Sequence, residues 1–141
     1  MPNTKDIGDI SQVMVMAAFL RAGLTVLTPF GDNRRYDLVL EQDGVFHRIQ
    51  CKTARRSKRH AGSLLFDTCS SYAHRGGKKK DYRGDVDFFA AYSPDLDKVF
   101  VLPVESVGIT VCSLRLKEAK NKQTKNTRWA EDYEFSGELP S

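Results

Sequence analysis

The chain has 141 residues, 40% of them hydrophobic and 28% charged, with a net charge of +4. That length fits a single domain spanning 1–141, and the composition is that of an ordinary soluble globular protein. The longest apolar stretch, Val13 to Leu20, is too short to span a bilayer, and "MPNTKDIGD" lacks signal-peptide architecture, so a cytoplasmic protein without membrane partners is expected.

The first element is predicted to be a helix from about Ile7 to Ala22. Ile7, Ile10, Met14, Ala17, Ala18 and Arg21 step along one side of it, with Asp6 as its cap and Gly23 as its stop. "LTVLTPF" then reads as a short strand ended by Pro29, and "GDNRR" as a loop. Next comes a hairpin, with strands near Tyr36–Gln42 and Val45–Thr53 around Asp43-Gly44, a dipeptide suited to the positive φ of a two-residue turn. "SLLFDTC", "DVDFFAAYS" and "KVFVLPV" are further strands, "ESVG" one helical turn, and "ITVCSLRL" a last strand or irregular edge. A polar tail from about residue 117 carries Trp129, Tyr133 and Phe135, which suits packing on the body or on a partner chain. This order implies an α/β domain with a central mixed sheet.

Three cysteines (Cys51, Cys69, Cys112) and three histidines show neither CxxC nor HxxxH spacing, which argues against a disulfide framework and a structural zinc site. The positive charge is concentrated in three runs, "ARRSKRH", "HRGGKKKDYR" and "KEAKNKQTKNTR". Read as loops around one hydrophobic frame, they point to a polyanion partner, with nucleic acid the first candidate.

The hairpin places polar groups where an apolar strand has little use for them. A two-residue turn pairs Gln42 with Val45, so Asp37 falls opposite Gln50, and Lys52 shares their face by the period of two. Leu38, Leu40, Ile49 and Cys51 then point the other way, into the core. An acid, an amide and an amine on one patch suit metal-assisted phosphodiester hydrolysis. Asp37 and the backbone carbonyl of Cys51 would ligate a hard cation, Gln50 would offer its amide oxygen, and Lys52 would act on the water or the phosphorus. The plain alternative is a cross-strand Asp–Lys pair at a sheet edge.

"D…QxK" on a hairpin behind a helix resembles the PD-(D/E)XK nuclease superfamily, with Gln50 in the acidic slot. The wider pattern "GDISQ…AGLTVLTPFGDNRRYDLVLEQDGVFHRIQCKTAR…KDYRGDVDFFAAY…RWAEDYEF" is similar to the small members associated with group I introns, over Ile7 to Phe135. The resemblance implies a restriction-endonuclease-like core of α-β-β-β-α-β type, with a central mixed sheet flanked by helices. It also implies Mg²⁺ (or Mn²⁺) dependence, cleavage of double-stranded DNA, and self-association as a dimer or tetramer. On this reading Gln12, Asp37, Gln50 and Lys52 form the catalytic set. Arg55, Arg56, Lys58, Arg59, Lys78, Lys79 and Lys80 hold DNA, and Tyr82 and Arg83 support the scissile phosphate.

One position departs from the family. Its members carry Glu on the first helix in a "GD(I/L)(S/G)E" context, and here that place is Gln12. Gln12 and Gln50 leave Asp37 as the one carboxylate among the matched positions, with Asp9, three residues from Gln12 and close to the same helical face, as the less favoured substitute. The expected function is that of a sequence-specific double-stranded DNA endonuclease of homing type, with Gln12 leaving open a weakened or inactivated form. A non-catalytic DNA-binding module, an RNA-binding protein and a DNA-junction resolvase remain as alternatives.

Overall fold

The computed structural model describes residues 3–31, 33–60, 62–72, 78–116 and 127–140; for residues 71, 72 and 78–80 it describes the backbone alone. Helix α1 spans Thr4–Arg21. Its cap is Asn3 and not Asp6: the Asn3 side chain accepts the Asp6 N–H at 2.9 Å, so the helix starts earlier than the pattern predicts. It ends as predicted at Gly23, whose φ of 82° closes a Schellman turn. There the Gly23 N–H donates to Leu20 O at 3.0 Å and the Leu24 N–H to Phe19 O at 3.1 Å.

The buried stripe of α1 is Ser11, Val15 and Phe19, with Met14, Met16 and Ala18 beside it. This corrects the predicted face: Ile10, Val13 and Leu20 are 48%, 60% and 57% exposed. The helix is apolar nearly all round, so its period cannot choose a side. Specific fits choose it instead. Phe19 packs edge-on to Phe135 with centroids 5.1 Å apart, and the buried Ser11 hydroxyl lies 2.6 Å from that of Thr53.

The central sheet has the order β1-β2-β3-β8-β9, from Thr25–Leu27, Leu38–Gln42, Val45–Thr53, Phe88–Ser93 and Lys98–Pro103. β3 and β8 are parallel and the other pairs antiparallel, so the sheet is mixed. Asp43 (φ 53°) and Gly44 (φ 82°) make the predicted two-residue turn, and Gln42 pairs with Val45 and Leu38 with Ile49 as counted. Just ahead of the β3–β8 ladder, the Arg48 N–H reaches the Asp87 carboxylate at 2.7 Å and the Asp87 N–H reaches Arg48 O at 2.9 Å. All six residues of β8 are buried, as expected of a strand covered on both faces.

α1 covers one face through Leu38, Leu40, Ile49, Phe88, Ala90 and Val101. The other face carries no α-helix among the described residues. It is covered by a second sheet of order β10-β5-β4, from Val111–Arg115, Ser63–Asp67 and Arg55–Arg56. Leu64, Phe66, Cys112 and Leu114 of that sheet pack on Phe89, Phe100 and Leu102. Two of the basic runs expected as loops thus contain strands: β4 in the first, and in the second β7 (Lys78–Asp81), paired with β6 (Cys69–Tyr72). Most of the third run, 117–126, lies outside the described residues. The tail beyond it packs on the body: Val101 N–H donates to Tyr133 O at 2.9 Å and Phe135 N–H to Val99 O at 2.8 Å, which covers the outer edge of β9. No described helix is long and apolar enough to cross a membrane.

Because Phe19 is fully buried beneath this tail, Phe19→Ala should cost about 3–5 kcal/mol of stability. Urea denaturation would read this as a lower midpoint at unchanged slope.

Candidate active site

Asp37 stands one residue before β2 and is tied twice to β3. Its N–H donates to Ile49 O at 2.9 Å, and its Oδ2 accepts the Cys51 N–H at 2.9 Å. The alternation of β3 then sorts the neighbours. Ile49, Cys51 and Thr53 face α1, while Gln50 and Lys52 point with Asp37 to the opposite face, beside Tyr82 and Phe89. Burial raises the pKa of Asp37 above the usual carboxylate range, against the opposing pull of the Cys51 N–H and the Lys52 charge. Burial, reinforced by Asp37, also holds the Cys51 thiol well above its ordinary value, in keeping with its place on the face packed against α1.

Gln50 Oε1 is buried and has no hydrogen-bond partner, which is rare for a buried carbonyl. Lys52 forms no ion pair with Asp37 among the described residues; its Nζ turns instead to Tyr82, 3.4 Å from the hydroxyl and 4.7 Å from the ring centre. The arrangement is therefore not the plain cross-strand salt bridge. The Asp37 carboxylate and the orphaned Gln50 amide oxygen are thus oxygen donors on one face of the hairpin, the donor type that a hard divalent cation prefers. No three His, Cys, Asp or Glu side chains converge among the described residues.

Tyr82 is only 5% exposed and packs edge-on to Phe89 at 5.6 Å, so its ring is a floor beneath Lys52 and not a surface contact. The Arg35 guanidinium lies 3.9 Å above the same ring. It donates to Asp81 O at 2.6 Å, to Asp85 Oδ2 at 2.9 Å and to Ser70 Oγ at 2.9 Å. Sequence reading missed Arg35, although its place two residues before Asp37 was a signal. Arg83, expected at the phosphate, has its guanidinium on Val107 O at 2.9 Å.

From Lys52 a cleft of about 500 Å³ opens, lined by Arg55, Arg56 and Lys58, with Thr4 at the start of α1 and Asp67 of β5 on its walls. Arg55, Lys58 and Arg59 are exposed and carry no ion pair among the described residues, whereas Arg56 lies 3.7 Å from Asp95. The side chains of Lys78, Lys79 and Lys80 lie outside the described residues. Gln12 is half-buried on α1, on the far side of the sheet from Asp37, and Asp9 is exposed. The Ser11–Thr53 contact sets the neighbouring turn of α1 against the end of β3. A larger cleft of about 620 Å³ lies elsewhere, against the C-terminal half of α1. Tyr92 and Asp97 pair within it, as do Lys98 and Glu134, and nothing there resembles the donor set around Asp37.

The sequence model of the PD-(D/E)XK endonuclease family matches residues 2–136. Among solved structures the chain is similar to "The structure of a bacterial homing endonuclease: I-Ssp6803I", with a TM-score of 0.78 and 29% identity over 94% of this chain and 89% of that one. No curated protein matches the sequence. The hairpin bearing Asp37, Gln50 and Lys52, the mixed sheet around it and the near full-length match lead to one conclusion: the chain belongs to the PD-(D/E)XK endonuclease family.

Proposed function

We propose that the protein is a cytoplasmic, sequence-specific endonuclease of homing type that hydrolyses double-stranded DNA with Mg²⁺ or Mn²⁺. The observation carrying this reading is the partnerless Gln50 Oε1 beside Asp37 and Lys52, at the head of a basic cleft. The homing character rests on the similarity to the bacterial homing endonuclease.

Asp37, Gln50 and the carbonyl of Cys51 would hold the cation, which supplies a Lewis acid and a lowered water pKa. The chain's own work lies in position and charge. Arg55, Arg56 and Lys58 hold phosphates along the cleft, and Lys52 brings a fixed positive charge to the phosphorus as negative charge develops there. Tyr82 sets where that charge sits, because its ring and hydroxyl receive the Lys52 ammonium. With Gln12 and Gln50 both neutral, the site attracts a cation less strongly than a two-carboxylate site, which favours a weakened enzyme. The same observation supports a second reading, a DNA-binding module on this fold that does not cut.

Cutting both strands with one such site per chain calls for two copies, so the active form is a homo-oligomer, a dimer or tetramer. Trp129 was the sequence candidate for the contact. It is half-buried instead, its backbone bridged to Arg115, and the exposed Ile10, Val13 and Leu20 of α1 are the better surface.

Asp37→Asn and Lys52→Ala should each lower single-turnover cutting by about 100-fold or more while leaving DNA affinity nearly unchanged. Undiminished cutting by either variant would remove the assignment. The folded-state pKa of Asp37 is raised, so its ionised form destabilises the fold at pH above that value. Asp37→Asn should therefore melt at the same temperature or higher in metal-free buffer at pH 7.

Gln12→Glu should raise cleavage and lower the Mg²⁺ concentration it requires. Cleavage rate against Mg²⁺ for both proteins on one bound duplex decides this, and identical curves would exclude position 12 from the site. Sedimentation should give an oligomeric mass that Val13→Glu reduces; a monomer that persists on DNA would contradict the assembly.

A further inference from the structure

The sheet β10-β5-β4 has an outer face that the fold does not use. Leu64, Phe66, Cys112 and Leu114 point into the core, so Ser63, Leu65, Asp67, Val111 and Ser113 point away from it. Arg55 stands opposite Leu65, and Asp67 lies opposite Val111, which is 45% exposed. Arg55 and Asp67 are thus diagonal neighbours across two strands, a separation of roughly 7–8 Å. No ion pair joins them, and neither has another partner among the described residues. The Arg115 end of the face meets Trp129, while the Asp67–Val111 end opens into the cleft that begins at Lys52.

A carboxylate is out of place in a cleft built for phosphates. Beside Lys52, Arg55, Arg56 and Lys58 it lowers the affinity for any polyanion backbone, unless it meets a donor that the backbone does not have. Base edges supply such a donor in the major groove, where cytosine presents its N4 amino group and a carboxylate accepts from it. Arginine meets the opposite pattern, the O6 and N7 acceptors of guanine, and an apolar side chain meets the thymine methyl.

We propose that the outer face of the β10-β5-β4 sheet reads base edges in the major groove, with Asp67 selecting cytosine and Val111 beside it contacting a neighbouring base, while Arg55 at the edge of the face keeps its phosphate contact. This rests on the nuclease reading above and names the specificity surface of the same site. The occupant is duplex DNA because the positive charge continuous with the face complements it; a second copy of this basic chain does not.

The test is selection of bound sequences from a randomised duplex library without divalent metal, so that nothing is cut. The native protein would be compared with Asp67→Asn, Asp67→Ala and a variant with Arg55, Arg56, Lys58 and Arg59 all changed to Gln. Both Asp67 variants should lose a cytosine preference of about tenfold at one position per half-site, with other positions intact. Their overall affinity should be equal or slightly higher, at unchanged salt slope. The four-Gln variant should instead weaken binding to all sequences and flatten the log–log salt slope by roughly 0.9 per lost contact. An unchanged base profile in both Asp67 variants overturns the inference and leaves the nuclease reading standing, as does an altered sedimentation mass with unaltered base choice. A native protein that enriches no duplex sequence removes both.

Discussion

The register of the β2–β3 hairpin is the constraint on which the rest depends. Two residues with positive φ, Asp43 and Gly44, turn the chain in the tightest way that matches strand twist, and every later pair is counted from that turn. A slip of β3 by one residue against β2 would turn Gln50 and Lys52 under α1 and expose Ile49 to the cleft, parting them from Asp37. The Asp37 carboxylate reinforces the register it depends on, since it accepts the Cys51 N–H across the hairpin. One short turn thereby places both the core face and the chemical face.

The site is held at a cost to the fold. A buried amide oxygen without a partner is unfavourable by roughly 1–3 kcal/mol, and Asp37 carries a charge that burial disfavours. Both penalties would disappear if the proposed cation shared the two groups, the pattern expected where stability is given up for binding. The aromatic floor works in the other direction. Tyr82 is locked by Phe89 on one side and by the multiply bonded Arg35 above, so the Lys52 ammonium rests on a rigid surface.

The second sheet gives this chain its particular form. Where the resemblance led to the expectation of a helix, the chain after β3 instead runs through β4 and β5 and packs Leu64 and Phe66 onto Phe89 and Phe100. Arg55 and Arg56 are thereby held on a strand next to the candidate site, and the cleft from Lys52 to Lys58 follows from strand geometry more than from loop conformation. The tail closes the opposite edge through Tyr133 and Phe135, which leaves α1 with an exposed apolar side.

The sequence alone determined what is local. Asp43-Gly44 set the turn, the period of two set the faces of Asp37, Gln50 and Lys52, and Gly23 set the end of α1. Local chemistry suffices there, because a positive φ or a two-residue loop leaves few conformations open. Three features were decided only by tertiary structure. α1 is apolar on most sides, so its buried stripe at Ser11, Val15 and Phe19 was selected by Phe135 and Thr53, partners distant in sequence. Tyr82 follows a run of charges and reads as exposed, yet contact with Phe89 and Arg35 buries it. β4 has two arginines and no hydrophobic alternation to mark it; pairing with Leu64 and Leu65 of β5 makes it a strand. In each case the deciding partner lies far along the chain, and no local pattern can specify a contact that forms only when the sheets pack.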